Sequence, residues 1–343
     1  MTTTANELAI RIFTYYYILA TVVALAVNIF LLFIYFRCKT RYINSYKYFF
    51  LLFGLVDIVL SILCCCLIPI VNADKNSIII LSISPLGIIP LGDILMYLLA
   101  AFGQISTLIT FNSFVYRYLQ LCRPNVMDYV YSRNGFVYAL LFNFAIFTNW
   151  SIILRLSYWR TDELVNASKQ LIWELFQVDL EETTFLGALT GNSAKNQTKT
   201  MLYTFIQLES LVILLLQHGF TVFSSVAILR KIKSNAISKN AKNLNRQMLK
   251  LMLCQVAIPF VFSNLPSIIQ LSLFAADHES SVPLTLVFSS PYPLSFLVNP
   301  LIIIHFVSDY KMFVRSKFFP SKIFNNSATT FPKSGNRLSF TSS

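Results

Sequence analysis

The stretch STLITFNSFVYRYLQLCRP, Ser106 to Pro124, decides how this chain is read. It begins as uncharged apolar sequence, and the apolar run stops at Tyr116-Arg117-Tyr118. Ser106, Thr110, Ser113 and Arg117 recur at i, i+4, i+7 and i+11, the spacing that lines up side chains on one face of a helix. Such a helix carries an inward polar seam with an arginine at its foot. Two readings of that arginine are open. It either snorkels from a helix end to lipid headgroups, or it belongs to a seam that slides against its neighbours and reports the movement at the membrane surface.

Composition places that helix in lipid. Of 343 residues, 56% are hydrophobic and 12% charged, with a mean hydropathy of +0.63. A soluble chain carries about 25% charged residues. The net charge of +12 would suggest nucleic acid as a partner, but the basic residues sit in short segments between apolar runs, as membrane orientation requires. Seven runs reach the ~20 residues needed to cross a bilayer: Ile12–Phe36, Tyr48–Val71, Ile94–Tyr116, Phe136–Leu154, Met201–Leu229, Leu251–Phe274 and Val282–Val307. The first is too long for a signal-peptide core and lacks a basic n-region, so it reads as a retained helix. An eighth apolar stretch, Ser77–Pro90, is broken by Pro85, Gly87 and Pro90, and reads as a loop or interfacial segment feeding the third span.

Taken alternately, the segments after the first, third, fifth and seventh spans hold 20 of the 27 Lys and Arg residues, against 7 on the other side. The positive-inside rule then puts the amino terminus outside and the carboxyl terminus inside. Asn166-Ala-Ser and Asn196-Gln-Thr are glycosylation sequons in the loop that this topology exposes outside. That loop, with Asp162, Glu163, Glu174, Asp179, Glu181 and Glu182, reads as a solvated surface. Residues Ser308–Phe319 show apolar Tyr310, Phe313, Val314 and Phe318 opposite Lys311 and Arg315, the pattern of a short amphipathic helix on the inner leaflet. The chain therefore reads as an all-α seven-transmembrane bundle over residues 1–319, followed by a disordered tail over 320–343.

Three polar residues lie deep in the predicted spans. Asn28, Asp57 and Asn299 each sit eight or nine residues from the same membrane face, about 12–14 Å at 1.5 Å per residue. An ionised group at that depth costs about 2.5–3.5 kcal/mol, which favours a shared hydrogen-bonded or ion-holding cluster over isolated contacts. In the sixth span Gln255, Pro259, Phe262 and Pro266 share a face, and each proline removes a ladder hydrogen bond and permits a kink. Pro300 follows Asn299 and breaks the seventh span in the same way. Asp93, Gln104, Glu209 and His218 are the candidate ligand contacts in the outer half. The six cysteines form no CxxC pair and make no ligand cluster with the three histidines. There is no phosphate loop, no GxSxG and no HExxH, so neither an enzyme nor a metal or cofactor site is expected.

The Asn28, Asp57, Arg117, helix-six proline and Asn299-Pro300 set resembles the G-protein-coupled receptor plan. More closely, Asn44-Ser-Tyr-Lys-Tyr-Phe-Phe, Phe114-Val-Tyr-Arg-Tyr-Leu, Gln255-Val-Ala-Ile-Pro259, Pro293-Leu-Ser-Phe-Leu-Val-Asn-Pro300 and Asp309-Tyr-Lys resemble the nematode Str-superfamily chemoreceptors. The resemblance implies a chemosensory receptor for a small odorant-like molecule, coupled to a heterotrimeric G protein and placed in the plasma membrane of sensory-neuron cilia. Tyr116, Arg117, Tyr118, Gln255, Pro259, Asn299 and Pro300 would form its switch. Three departures stand out, the first being that Asn299-Pro300 is followed by Leu-Ile-Ile without the usual Tyr. Tyr116 replaces the acid that usually precedes the arginine. No cysteine lies in the predicted outer loops, so the customary outer disulfide cannot form and a looser outer end is expected. A peptide or amine receptor of the same plan, and a ligand-gated channel of inverted topology, are the rival readings.

Overall fold

The computed structural model describes residues 2–38, 46–74, 77–189, 197–234, 239–276 and 280–318. The tail expectation for 320–343 and the Asn196 sequon lie outside these residues. Seven helices among them are long and apolar enough to cross a membrane. The first three spans are α1 (Thr2–Arg37), α2 (Lys47–Leu67) and α3 (Leu91–Cys122). A short α4 (Pro124–Tyr131) leads to the fourth span, α5 (Arg133–Ile153), which ends in a π-helical turn, Leu154–Tyr158. Helix α6 (Asp162–Phe176) lies in the following loop, and α7 (Gln197–Lys233) is the fifth span. The sixth span is α8 (Lys239–Pro259) joined to α9 (Leu265–Ala275), and the seventh is α10 (Val282–Ser289) joined to α11 (Tyr292–Phe306). Helix α12 (Ser308–Phe318) follows. Its Phe318 meets Phe30 of α1 edge-on at 5.7 Å, and its Tyr310 is fully buried.

The packing order fixes which helices can communicate. Helix α1 packs on α2 and α11, α2 on α3, α3 on α7, and α11 on α8. The third span thus sits between the second and the fifth, and its seam faces the bundle interior: Ser113 and Arg117 are buried, while Ser106 and Thr110 are half-buried.

The seven-helix bundle is as expected, and a three-stranded sheet is added at one end of it. The apolar run predicted to reach Val71 as helix stops at Leu67. Ile68 adopts a left-handed conformation (φ 46°) and its N–H closes on the Cys64 carbonyl. The next residue is Pro69, which disfavours helix for its predecessor and donates no hydrogen bond. The chain continues as β1 (Pro69–Asp74), which pairs antiparallel with β2 (Ser77–Ser82). The stretch read as a loop feeding the third span is therefore partly a strand. Its other partner, β3 (Phe185–Leu189), comes from the loop between the fourth and fifth spans, in the register Ile80 opposite Leu186 and Ile78 opposite Ala188. That loop is likewise more than a solvated surface. Thr161 caps α6 through the Leu164 N–H, and Leu164, Val165, Ser168, Ile172 and Phe176 form its buried face. Ser168 hydrogen-bonds Ser77 of β2 at 2.6 Å.

The sheet also answers the expectation of a loose end. All six cysteines are free thiols. The first turn of α3 is nevertheless tied to the long loop: Thr184 Oγ1 donates to Asp93 at 2.7 Å, the Thr184 N–H to the Gly87 carbonyl at 2.8 Å, and the Ile89 N–H to the Glu182 carbonyl at 2.9 Å. Gly92 makes this closeness possible, because a Cβ there would run into the Gly87 carbonyl backbone. Gly92→Ala is accordingly expected to destabilise the protein by about 1–3 kcal/mol, the usual range for overpacking. Thermal unfolding of the detergent-solubilised chain checks it, and an unchanged melting temperature would contradict this role. The end of the bundle opposite the sheet is basic, and Arg117, Arg230, Lys231 and Arg246 lie there.

Candidate functional site

Three chambers open beneath the sheet. The first, of about 270 Å³, lies between α2, α3, α7, the sixth span and α11, and its wall includes Asp57, Thr110, Gln217, His218, Gln255 and Asn299. The second, of about 380 Å³, lies between α3, α5 and α7 and is roofed by Ile78 and Ile80 of β2 and Leu186 and Ala188 of β3. The third, of about 160 Å³, is bounded by Val71, Met96, Phe262 and Phe288. Gly103, Ser263 and Tyr292 border both the first and the third chambers. Leu214 and Gln217 border both the first and the second. Among the described residues no lysine or arginine lines any of them.

The polar floor of the first chamber is a linked set from three helices. Asn299 donates from Nδ2 to the Asp57 carboxylate at 2.6 Å, and Gln255 Nε2 donates to Asn299 Oδ1 at 3.4 Å. All three are at least nine-tenths buried. Asn28 lies at the same depth but has a different partner. Its Nδ2 donates to the carbonyls of Ala24 and Phe296, both at 2.9 Å, so it pins α1 to the backbone of α11 one turn before Asn299. The network thus joins Asp57, Asn299 and Gln255, with Asn28 beside it. Pro300 is buried in α11 next to Asn299.

Pro259 ends α8, and the chain widens at once into a π-helical turn, Phe260–Asn264. Pro259 and Pro266 each lack the N–H that an α-helical ladder needs, and inserted π turns recur where helices bend. The extra residue changes the register beyond Pro259. Gln255 and Pro259 face the first chamber, Phe262 lines the third, and Ser263 lies between them. The single face predicted through Pro266 is broken at that point.

The four candidate ligand contacts separate. His218 borders the first chamber and hydrogen-bonds the Leu214 carbonyl through Nδ1. Gln104 borders the second. Glu209 accepts at 3.1 Å from Asn149, which lines the second chamber. Asp93 lines none of the three chambers and instead holds Thr184. Asn166 is exposed on α6.

At the basic end Arg117 points inward. It is 8% exposed, which the snorkelling reading does not allow. Its guanidinium donates to Gln120 Oε1 at 2.6 Å and to Asn245 Oδ1 of α8 at 2.5 Å, so a neutral amide of the sixth span stands where an acid would pair. The buried Nε has no acceptor. The Tyr46 ring lies 5.9 Å from the guanidinium carbon. Burial pushes the Tyr46 phenol up to about 12, against the lowering pull of Ser113 and Arg117, so the ring is neutral and the contact is cation–π. Tyr116 packs on Tyr46 and Phe49, and Tyr118 packs on Phe220 and Phe223 of α7.

Gln217 and Asn245 were not singled out in the sequence. Gln217, Thr221, Ser224 and Ser225 are all buried and recur at i, i+4, i+7 and i+8 on α7, a seam like that of α3. Asn245 is surrounded by Lys242, Arg246 and Lys250, and nothing in that spacing distinguishes it.

Comparison with known proteins converges with this geometry. Residues 13–315 match the family described as serpentine-type 7TM GPCR chemoreceptor Str. A Caenorhabditis elegans protein described as G-protein coupled receptor str-33 is 23% identical over 316 residues, covering 88% of this chain and 89% of that one. Squid rhodopsin superposes with a TM-score of 0.55 at 10% identity, over 91% of this chain and 86% of that one, which is a likeness of fold. The chain is a multi-pass membrane protein and a receptor rather than an enzyme, and it belongs to the Str family of seven-transmembrane G-protein-coupled chemoreceptors.

Proposed function

We propose that this receptor detects a small odorant-like molecule in the chambers under the sheet and activates a heterotrimeric G protein at its basic end. The observation that carries the reading is the pair of contacts on the sixth span. Gln255 of α8 closes the floor of the first chamber, and Asn245 of the same helix holds Arg117. A ligand in the chamber shifts the equilibrium by its differential affinity for two helix arrangements. Movement of α8 about the π turn after Pro259 then frees Arg117, whose unpartnered Nε and released N–H groups are ready to donate to a G-protein subunit. Basic residues make that end cytoplasmic in this reading. The exposed Asn166 would then lie outside and accept a glycan, as would Asn196. In this reading the receptor lies in the plasma membrane of sensory-neuron cilia and serves olfaction; the chemoreceptor family supports the sensory role.

An amine receptor is the weaker reading. The acid nearest the outer end of the third span, Asp93, is committed to Thr184 and lines none of the chambers.

Gly103 offers a direct test of the chamber. A Cβ added there meets nothing within 4 Å, so a larger side chain projects into empty space between two chambers. In reporter cells given an odorant panel, wild type should give a response that requires the G protein. Gly103→Leu should weaken that response by at least about tenfold at unchanged surface expression, the equivalent of ~1.4 kcal/mol. A current that persists without G protein, or full potency in Gly103→Leu, would overturn the proposal.

A further inference from the structure

We propose that Gln217 is the specificity-determining contact of the cavity, and that it selects an uncharged, compact ligand bearing a hydrogen-bond-accepting oxygen on an apolar frame. The inference deepens the ligand-binding reading above and rests on it.

Gln217 is 8% exposed and borders both the first and the second chamber. Its backbone carbonyl is occupied by Thr221 Oγ1 at 2.9 Å, yet its side-chain Nε2 is a buried donor without an acceptor. Two other amide donors around the chambers are engaged: Asn149 Nδ2 donates to Glu209, and Gln255 Nε2 donates to Asn299. A buried polar group that the fold leaves unpaired is uncommon and calls for an explanation. Here its position between two chambers supplies one, because a molecule seated there can bring the missing acceptor.

The surroundings restrict what that molecule is. Leu214, Phe111, Ile213 and Trp150 line the walls near Gln217, and no described lysine or arginine is present to hold an anion. Asp57, the only carboxylate in the lining among the described residues, already accepts from Asn299. The volumes of about 270 and 380 Å³ lie just below and just above the lower edge of the ~300–1,000 Å³ typical of drug-sized ligands. A ketone, ester, ether or alcohol of few heavy atoms fits these limits. A peptide does not.

The test is binding to the purified full-length receptor, read as a ligand-induced rise in melting temperature. The probes are neutral ketones, esters and alcohols, each matched to an alkane and an alkylammonium ion of the same frame. Stabilisation should be confined to the oxygenated compounds. Gln217→Leu, or Gln217→Met should the leucine variant not fold, should weaken the best of them roughly five- to tenfold, the loss of one buried hydrogen bond. The unliganded variant should melt at or above wild type, because its orphaned donor is gone. Four results of this assay would overturn the inference: alkanes or ammonium ions binding as well as ketones, no oxygenated compound binding, unchanged affinity in the variant, or a lower melting temperature without ligand. The assay contains no G protein, so failure of coupling leaves the inference intact. Signalling evoked only by ammonium ions would sink it and leave the receptor reading standing.

Discussion

Arg117→Ala should abolish ligand-evoked signalling while the receptor still reaches the cell surface. The side chain spans the gap between α3 and α8, and its acceptors are two neutral amide oxygens, on Gln120 and Asn245. Losing the arginine leaves exposed Gln120 free to bond water and strands one buried neutral acceptor, Asn245 Oδ1, at a cost of about 1–3 kcal/mol, with no stranded carboxylate. The proposed mechanism makes the loss to signalling large, because in it the guanidinium is the group offered to the G protein once α8 moves. Asn245→Ala separates the two roles. It removes the tether but keeps the arginine, and basal signalling should rise several-fold. Second-messenger output normalised to surface labelling measures both. Evoked signalling retained in Arg117→Ala would remove the residue from the mechanism.

Asn299→Ala has the second-largest expected effect, on stability as well as signalling. Asp57 is 3% exposed, and its carboxylate accepts from Asn299 Nδ2 at 2.6 Å. A hydrogen bond contributes about 0.5–1.5 kcal/mol net, and stranding a buried acceptor carries a desolvation penalty of about 1–3 kcal/mol. The same change removes the acceptor used by Gln255, so chamber and sixth span lose their link. We expect a clearly lower melting temperature and loss of the evoked response. Asp57→Asn keeps an acceptor oxygen for Asn299, and should be far milder. Equal damage from Asp57→Asn and Asn299→Ala would mean that charge, rather than the hydrogen-bonded link, is what matters there.

The helical frame was legible because lipid makes the rule simple. Apolar runs of sufficient length announce the spans, and the period of Ser106, Thr110, Ser113 and Arg117 gives the orientation of the third. Depth was readable for Asn28, Asp57 and Asn299, since it follows from counting residues. Partner choice was not. Asn28 bonds the Phe296 carbonyl, and backbone acceptors leave no mark on the sequence. The sheet was hidden for a similar reason. Ile78-Ile79-Ile80-Leu81 is short and β-branched, but its partner Phe185–Leu189 lies more than a hundred residues away in a loop whose acidic residues suggested solvent. Gln217 was within reach, since the period that exposed the seam of α3 recurs along α7.

Every step from chamber to G protein depends on which end faces the cytosol. Epitope tags at the two termini, probed with antibody in intact and then permeabilised cells, measure this most directly. An amino-terminal tag labelled without permeabilisation, with a carboxyl-terminal tag labelled only after it, is the predicted result. A carboxyl-terminal tag labelled on intact cells would put Arg117 and its basic neighbours outside, contradicting G-protein coupling at that end.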